Sequence, residues 1–158
     1  MHWQGHVGAA AIAYAPLGAW LATTGAQRLA VVGLLVAVSL STAPDVDQHL
    51  PIAHRGATHT VWFVAAGTVV AGLAGYAGAT LVATDASLAG TTVGAAAAIA
   101  LISHLVADVL TPMGIRPFEP VSSVSYTFEL VYSKNRRANR VLLAGGGVAV
   151  AVLAILVW

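Results

Sequence analysis

The sequence contains no cysteine, which excludes disulfides and thiolate metal ligands and leaves the redox compartment undetermined. Charge is nearly as scarce: only 8% of the 158 residues are Asp, Glu, Lys or Arg, where a soluble domain holds about 25%. The net charge of +1 offers no broad basic surface to a nucleic acid. The opening residues, MHWQGH, hold no Lys or Arg, which argues against a cleaved signal peptide. No low-complexity tail and no soluble second domain stand out, so residues 1–158 read as a single domain.

What is present is apolar. Hydrophobic residues make up 58% of the chain and mean hydropathy is +0.83, values of an integral membrane protein. The few charges divide the chain into uncharged runs at 7–27, 29–44, 60–84, 86–107 and 141–158. The last three are long enough to span a bilayer, which takes about 17–25 apolar residues. The first is broken by Pro16 and the second is short, so together they suggest a hairpin turning at 23–28. The fold class is therefore all-α, a polytopic membrane helix bundle of about five transmembrane helices. Small residues recur in GLAGYAG and GTTVG, a texture that lets membrane helices approach closely. The pattern leaves a homo-oligomer open without requiring one.

Five crossings give a sidedness. Arg55, Arg116, Lys134, Arg136, Arg137 and Arg140 fall on the side of the N-terminus, and Arg28 alone falls on the other. The Lys/Arg excess marks the cytoplasm, so the N-terminal side is expected to be cytoplasmic and the C-terminus external. The run KNRRANR is the flank of the last span and is suited to attract anionic headgroups. Trp3 suits an interfacial anchor, and His2 and His49 read as exposed.

This topology gathers the unusual residues at one membrane face. The stretch STAPDVDQHLPIAHRGATHT, 41–60, concentrates two Asp, three His and an Arg. His6 lies before the first span on the same side. His104, about 17 residues into its span, sits roughly 26 Å deep and so near that boundary. His104 and Asp108 are four apart and share a helix face, where they either tie helices together or hold one metal from one side. If PDVD is extended, Asp45 and Asp47 point the same way, as loop carboxylates or as ligands. In HRGATHT, Gly56 permits a tight turn, Thr58 is placed to cap the next helix, and His59 would fall in its first turn. Arg55 is either a positive-inside anchor or a partner for a phosphate oxygen. His and carboxylate ligands without Cys suit Zn, Mn, Fe or Ni. Such a site activates water and polarises a phosphoryl oxygen.

PDVD, HRGATHT and SHLVADVLTPMGIRPFEP, together with GHVG near the start, resemble the signature of the YdjM-like family of inner-membrane metal-dependent hydrolases. The resemblance runs along nearly the whole chain, in order. It extends distantly to zinc-dependent phospholipase C and the single-strand-specific zinc nucleases. It implies metal ligands at His6, Asp45, His59, His104 and Asp108, with Asp45 preferred over Asp47 for its spacing from His59. Asp108 would bridge to a second metal near His6. The soluble relatives carry further histidines after this motif, and none follows His104 here, which limits the site to one or two divalent ions, zinc first and Mn or Fe next.

The expected function is then a membrane-bound metal-dependent hydrolase that cleaves a phosphoester with a metal-activated water, on a phospholipid or another lipid-linked phosphate. Arg55 would steady the phosphoryl charge, and Asp47 or His54 would act as general base or orient a ligand. One alternative is a non-catalytic membrane protein with a structural metal site. Another is a metal transporter, disfavoured because the third and fifth spans hold no charged residue and no His. Neither Glu119 nor Glu129 is expected as a primary ligand. The segment 114–140 reads as a turn at RPFEP followed by an extended stretch or an interfacial helix.

Overall fold

The structure is a computed structural model and describes residues 1–82 and 85–158. Its helices are α1 (Trp3–Thr23), α2 (Gln27–Leu40), α3 (Val61–Leu81), α4 (Ala86–Val109) and α5 (Arg136–Val157). Between α2 and α3 lie two 3-10 segments, Ala43–His49 and Ala57–His59. No strand forms among the described residues, where Ile115 and Tyr126 make an isolated bridge. The all-helical bundle expected from composition is the observed architecture.

By length and composition four stretches are able to cross a membrane: Gln27–His49, Val61–Leu81, Ala86–Val109 and Arg136–Val157. α1, 21 residues long, is less apolar than these four because it carries Gln4, His6, Tyr14 and Pro16, and it packs along α2, α4 and α5 as the fifth helix of the expected bundle. Pro16 does not break α1 as expected; the helix runs past it to Thr23. Proline is tolerated in membrane helices where packed neighbours and local adjustment satisfy the freed carbonyl. The hairpin turn falls where expected, with Gly25 at a left-handed φ of 90°. Of the run 60–84, α3 covers Val61–Leu81, and residues 83 and 84 lie outside the described residues.

At the starts of α3, α4 and α5 a side chain accepts from the free amides of the first turn. Thr60 accepts from Phe63 N at the start of α3 and Asp85 accepts from Leu88 N at the start of α4. Asn135 accepts from the amides of Arg137 and Ala138 at the start of α5. Thr60 therefore takes the capping role expected of Thr58, and His59 precedes α3 instead of lying in its first turn. The hydroxyl of Thr58 is drawn off to Asp47 Oδ2, 3.0 Å away.

α1 packs on α2, α4 and α5, while α4 packs on α1, α2 and α3, so these two helices form the centre. Glycine makes the close approaches possible. A Cβ on Gly146 of α5 would stand 2.8 Å from Gly8 Cα of α1. A Cβ on Gly90 of α4 would stand 3.0 Å from Gly72 O of α3. The small-residue texture thus serves contacts within the chain. Burial is inverted relative to a soluble protein: His6, His59, His104 and Asp108 are wholly buried, while Leu35, Val70, Leu73 and Ile155 are more than half exposed. Apolar helix faces of this extent belong against lipid.

The segment after α4 is extended and irregular, not an interfacial helix. It returns along the end of α4, where Phe128 N donates to Val109 O and Leu130 N and Val131 N both donate to Leu110 O, at 2.8, 2.9 and 3.1 Å. These bonds answer carbonyls that the helix end leaves free, and a helix over 121–132 would forfeit them.

Replacing Gly90 by Leu is expected to force α3 and α4 apart and destabilise the bundle by about 1–3 kcal/mol, read as a lower thermal midpoint in detergent with helical content retained. The same change at Gly78, where an added Cβ meets nothing within 4 Å, is expected to leave the midpoint unchanged.

Candidate metal centre

His104 and Asp108 project from one face of α4, one turn apart, and both are wholly buried. The 3-10 segments bring Asp45 and His59 against them. The four offer ligand atoms that all lie within 4.8 Å of one another. His59 Nε2 is 3.2 Å from His104 Nε2 and 3.4 Å from Asp108 Oδ2. Asp45 Oδ1 is 3.9 Å from His59 Nε2 and 3.8 Å from His104 Nε2.

The outer nitrogens of both imidazoles fix their tautomers. His104 Nδ1 lies 2.7 Å from Ser41 O, a carbonyl that can only accept, so Nδ1 carries the proton. Thr58 Oγ1 donates to Asp47 Oδ2 and is 3.1 Å from His59 Nδ1, so it accepts there and His59 Nδ1 is also the protonated nitrogen. Both Nε2 atoms therefore turn bare lone pairs toward each other beside two carboxylates. Asp108 Oδ2 is buried with no hydrogen-bond partner. A buried cluster of acceptors is costly unless a cation sits among them. At metal–nitrogen bonds of about 2.0–2.1 Å, a nitrogen pair 3.2 Å apart is spaced to share one ion. The residues present thus fit a divalent metal held by Asp45, His59, His104 and Asp108.

His6 lies outside that group of four but faces the other oxygens of the same carboxylates. Its Nε2 is 3.6 Å from Asp108 Oδ1 and 3.9 Å from Asp45 Oδ2, and its ring stacks on His104 with centroids 3.7 Å apart. The Met1 amino group donates to Asp108 Oδ1, and His6 Nε2 donates to Met1 O at 3.1 Å. Each carboxylate therefore points one oxygen at the four-residue group and the other toward His6.

Asp47 does not point the same way as Asp45. The Ala43–His49 segment is a 3-10 helix rather than extended, so residues two apart diverge. Asp47 is buried and accepts from Arg55 N and Thr58 Oγ1, with His54 Nδ1 2.9 Å from its Oδ1 and His59 Nδ1 3.3 Å from its Oδ2. It ties the loop together from behind His59. Asp45, Asp47 and His54 form a second, more open group of three that geometry would also allow to hold an ion.

Arg55 is turned inward. Its guanidinium contacts Asp108 Oδ1 at 2.8 Å and donates to Thr111 Oγ1 at 3.0 Å and Gly114 O at 2.9 Å, leaving Nε as its one buried unpartnered nitrogen. The left-handed residue of this turn is Arg55 itself, φ 58°, and not Gly56. Glycine is needed at 56 for space, since a Cβ there would lie 2.9 Å from Ala53 O. Ser41 and Thr111 escaped sequence reasoning, as did the contacts of Thr58 with Asp47 and His59. Thr58 and Thr111 adjoin or lie close to the ligands in ATHT and HLVADVLT, the one signal that was there to read.

A family model described as YdjM inner membrane protein matches residues 1–158. The chain belongs to the YdjM inner membrane protein family. No match was found among the curated proteins or among the solved structures. For a YdjM-family protein the inner-membrane description agrees with the apolar helices, and the His/Asp cluster adds a metal site that the geometry makes possible.

Metal analysis of the purified protein is expected to find bound divalent metal in the wild type and none in His59→Ala or Asp108→Ala. Loading is expected to fall at acid pH, where protons compete with the metal for its ligands. Asp47→Asn keeps every direct ligand but weakens the hold on His59, and is expected to reduce metal affinity by roughly 10–100-fold, measured by chelator competition.

Proposed function

We propose that this protein is a membrane-embedded metal-dependent hydrolase acting on a phosphoester, with lipid-linked phosphates as its substrate class. The observation that carries the reading is the pair of bare Nε2 atoms 3.2 Å apart between two carboxylates. Asp45, His59, His104 and Asp108 would hold a divalent ion there, which would lower the pKa of a water and polarise a phosphoryl oxygen. Zinc fits the ligand set best, with manganese or iron next.

Access supports catalysis. The Asp45 side chain is 18% exposed, whereas those of His59, His104 and Asp108 are 0–1% exposed. Asp45 also lines a 680 Å³ cavity with Met1, His2, Thr42 and Gln48, so the centre is approachable from that flank. An apolar groove of 500 Å³ between α1, α4 and α5 is lined by Ile12, Ile102, Val106, Leu142 and Met1, whose amino group contacts Asp108. A hydrocarbon tail in that groove would carry its head toward the centre, which favours a lipid substrate.

Within this proposal Asp47 is a positioning residue that holds His59 through Thr58. His54, hydrogen-bonded to Asp47 and with a 40% exposed side chain, would serve as general base or orient Asp47. Arg55 secures Asp108 and lines a 570 Å³ cavity beside Gly114 and Arg116. We further propose a multi-pass topology with the centre at the cytoplasmic face and the C-terminus outside, on the strength of the Lys/Arg imbalance. A second reading, a structural metal tying α4 to the α2–α3 connection, is favoured by the fact that four protein ligands can close a tetrahedron.

Assays in lipid with metal supplied are expected to show phosphodiester or phosphomonoester hydrolysis that chelation removes and that falls at least about 100-fold in His59→Ala and Asp108→Ala. A wild type that binds metal, loses thermal stability on chelation and hydrolyses neither class would instead establish the structural reading.

A further inference from the structure

A further cavity, of 380 Å³, is lined by His2, Gln4, Lys134, Arg136, Asn139 and Arg140. Three of its six lining residues are permanent cations and none is a carboxylate. Among the described residues no ion pair or side-chain hydrogen bond engages Lys134, Arg136 or Arg140, whereas the buried Arg55 makes both. Three exposed cations around one hollow repel each other unless an anion sits between them.

The hollow is built and not merely a basic flank. Asn139, 2% exposed, donates through Nδ2 to Ser133 O and Asn135 O and accepts from His2 N through Oδ1. This fixes the start of α1 against the start of α5 and so sets the wall carrying His2 and Gln4 opposite the one carrying the cations. The first free amides of α5 are already taken by Asn135, so the binding groups are side chains and not the helix terminus. The location is the polar end of an apolar helix able to cross a membrane, beside Trp3, which is 54% exposed. Trp at that level is an interfacial anchor.

We infer that this hollow binds the phosphate of an anionic membrane lipid, with Lys134, Arg136 and Arg140 as its ligands. Charge complementarity and the position at headgroup depth select a lipid over a soluble anion. His2 lines both this hollow and the cavity that reaches Asp45, so the bound headgroup would lie next to the mouth of the metal centre. The inference does not rest on hydrolysis, because none of the three cations belongs to the centre.

The test is native mass spectrometry of the full chain in detergent, titrated with phosphatidylglycerol and with phosphatidylcholine of identical acyl chains. The wild type is expected to prefer phosphatidylglycerol by roughly tenfold or more. The triple variant Lys134→Gln, Arg136→Gln, Arg140→Gln is expected to lose the preference, with helical content unchanged by circular dichroism. Arg137→Gln, outside the hollow, and Arg28→Gln, at the other end of the bundle, are expected to keep it, as is His59→Ala. Retention of the preference in the triple variant, or its equal loss in Arg137→Gln, would overturn the inference. So would inorganic phosphate that binds the wild type as tightly as phosphatidylglycerol and fails to bind the triple variant, since the site would then serve a soluble anion.

Discussion

Two imidazole nitrogens facing each other at 3.2 Å, with two carboxylates at their sides, set the terms for the rest of this molecule. Acceptors so placed repel unless a cation joins them, and three of the four side chains are buried inside the helix bundle. The arrangement persists only because each imidazole is pinned from behind. Ser41 O holds His104, and Thr58 holds His59 while itself held by Asp47. Asp108 is steadied on its other oxygen by Arg55 and the Met1 amino group. The centre is thus a shell within a shell, and the outer partners fix which nitrogen is free to bind.

The bundle is arranged to make that geometry rigid. α1 and α4, the two central helices, carry His6, His104 and Asp108, while α3 and α5 pack on the outside through glycine contacts. Glycine at these contacts draws the outer helices in to backbone distance, so the polar residues are enclosed without bulky apolar side chains between them. The connection between α2 and α3, residues 41–60, contains no α-helix or strand, and its two 3-10 segments place Asp45 and His59. Its one left-handed residue, Arg55, is held by both backbone and side chain: its amide reaches Asp47 and its guanidinium reaches Asp108. One residue thereby couples the loop to α4, which explains why an arginine so near the expected membrane face is turned away from it.

The spans of α3, α4 and α5 were legible because uncharged length is a one-dimensional property. The hairpin of α1 and α2 was legible from the turn at Gly25. The convergence of His104 and Asp108 with Asp45 and His59 also followed, since helix period and sidedness together bring those residues to one face. Other features were not legible. The course of Asp47 away from Asp45 depends on a 3-10 helix that PDVD does not announce. The capping of α3 by Thr60 in place of Thr58 follows from a competing acceptor, Asp47, eleven residues upstream. The extended run over 121–132 takes its form from carbonyls at the end of α4, a long-range need that local propensity does not express.

The sequence by itself determined that this is a helical membrane protein of the YdjM family with its titratable residues gathered at one end, because hydropathy, spacing and motif order are written along the chain. Only the tertiary structure decided which atoms meet. It chose the tautomers of His59 and His104, the inward turn of Arg55, the split of each carboxylate between two positions and the hollow that Asn139 builds around three cations. Those outcomes depend on distances of a few ångströms between segments far apart in the chain, where hydrogen-bond geometry discriminates and composition does not.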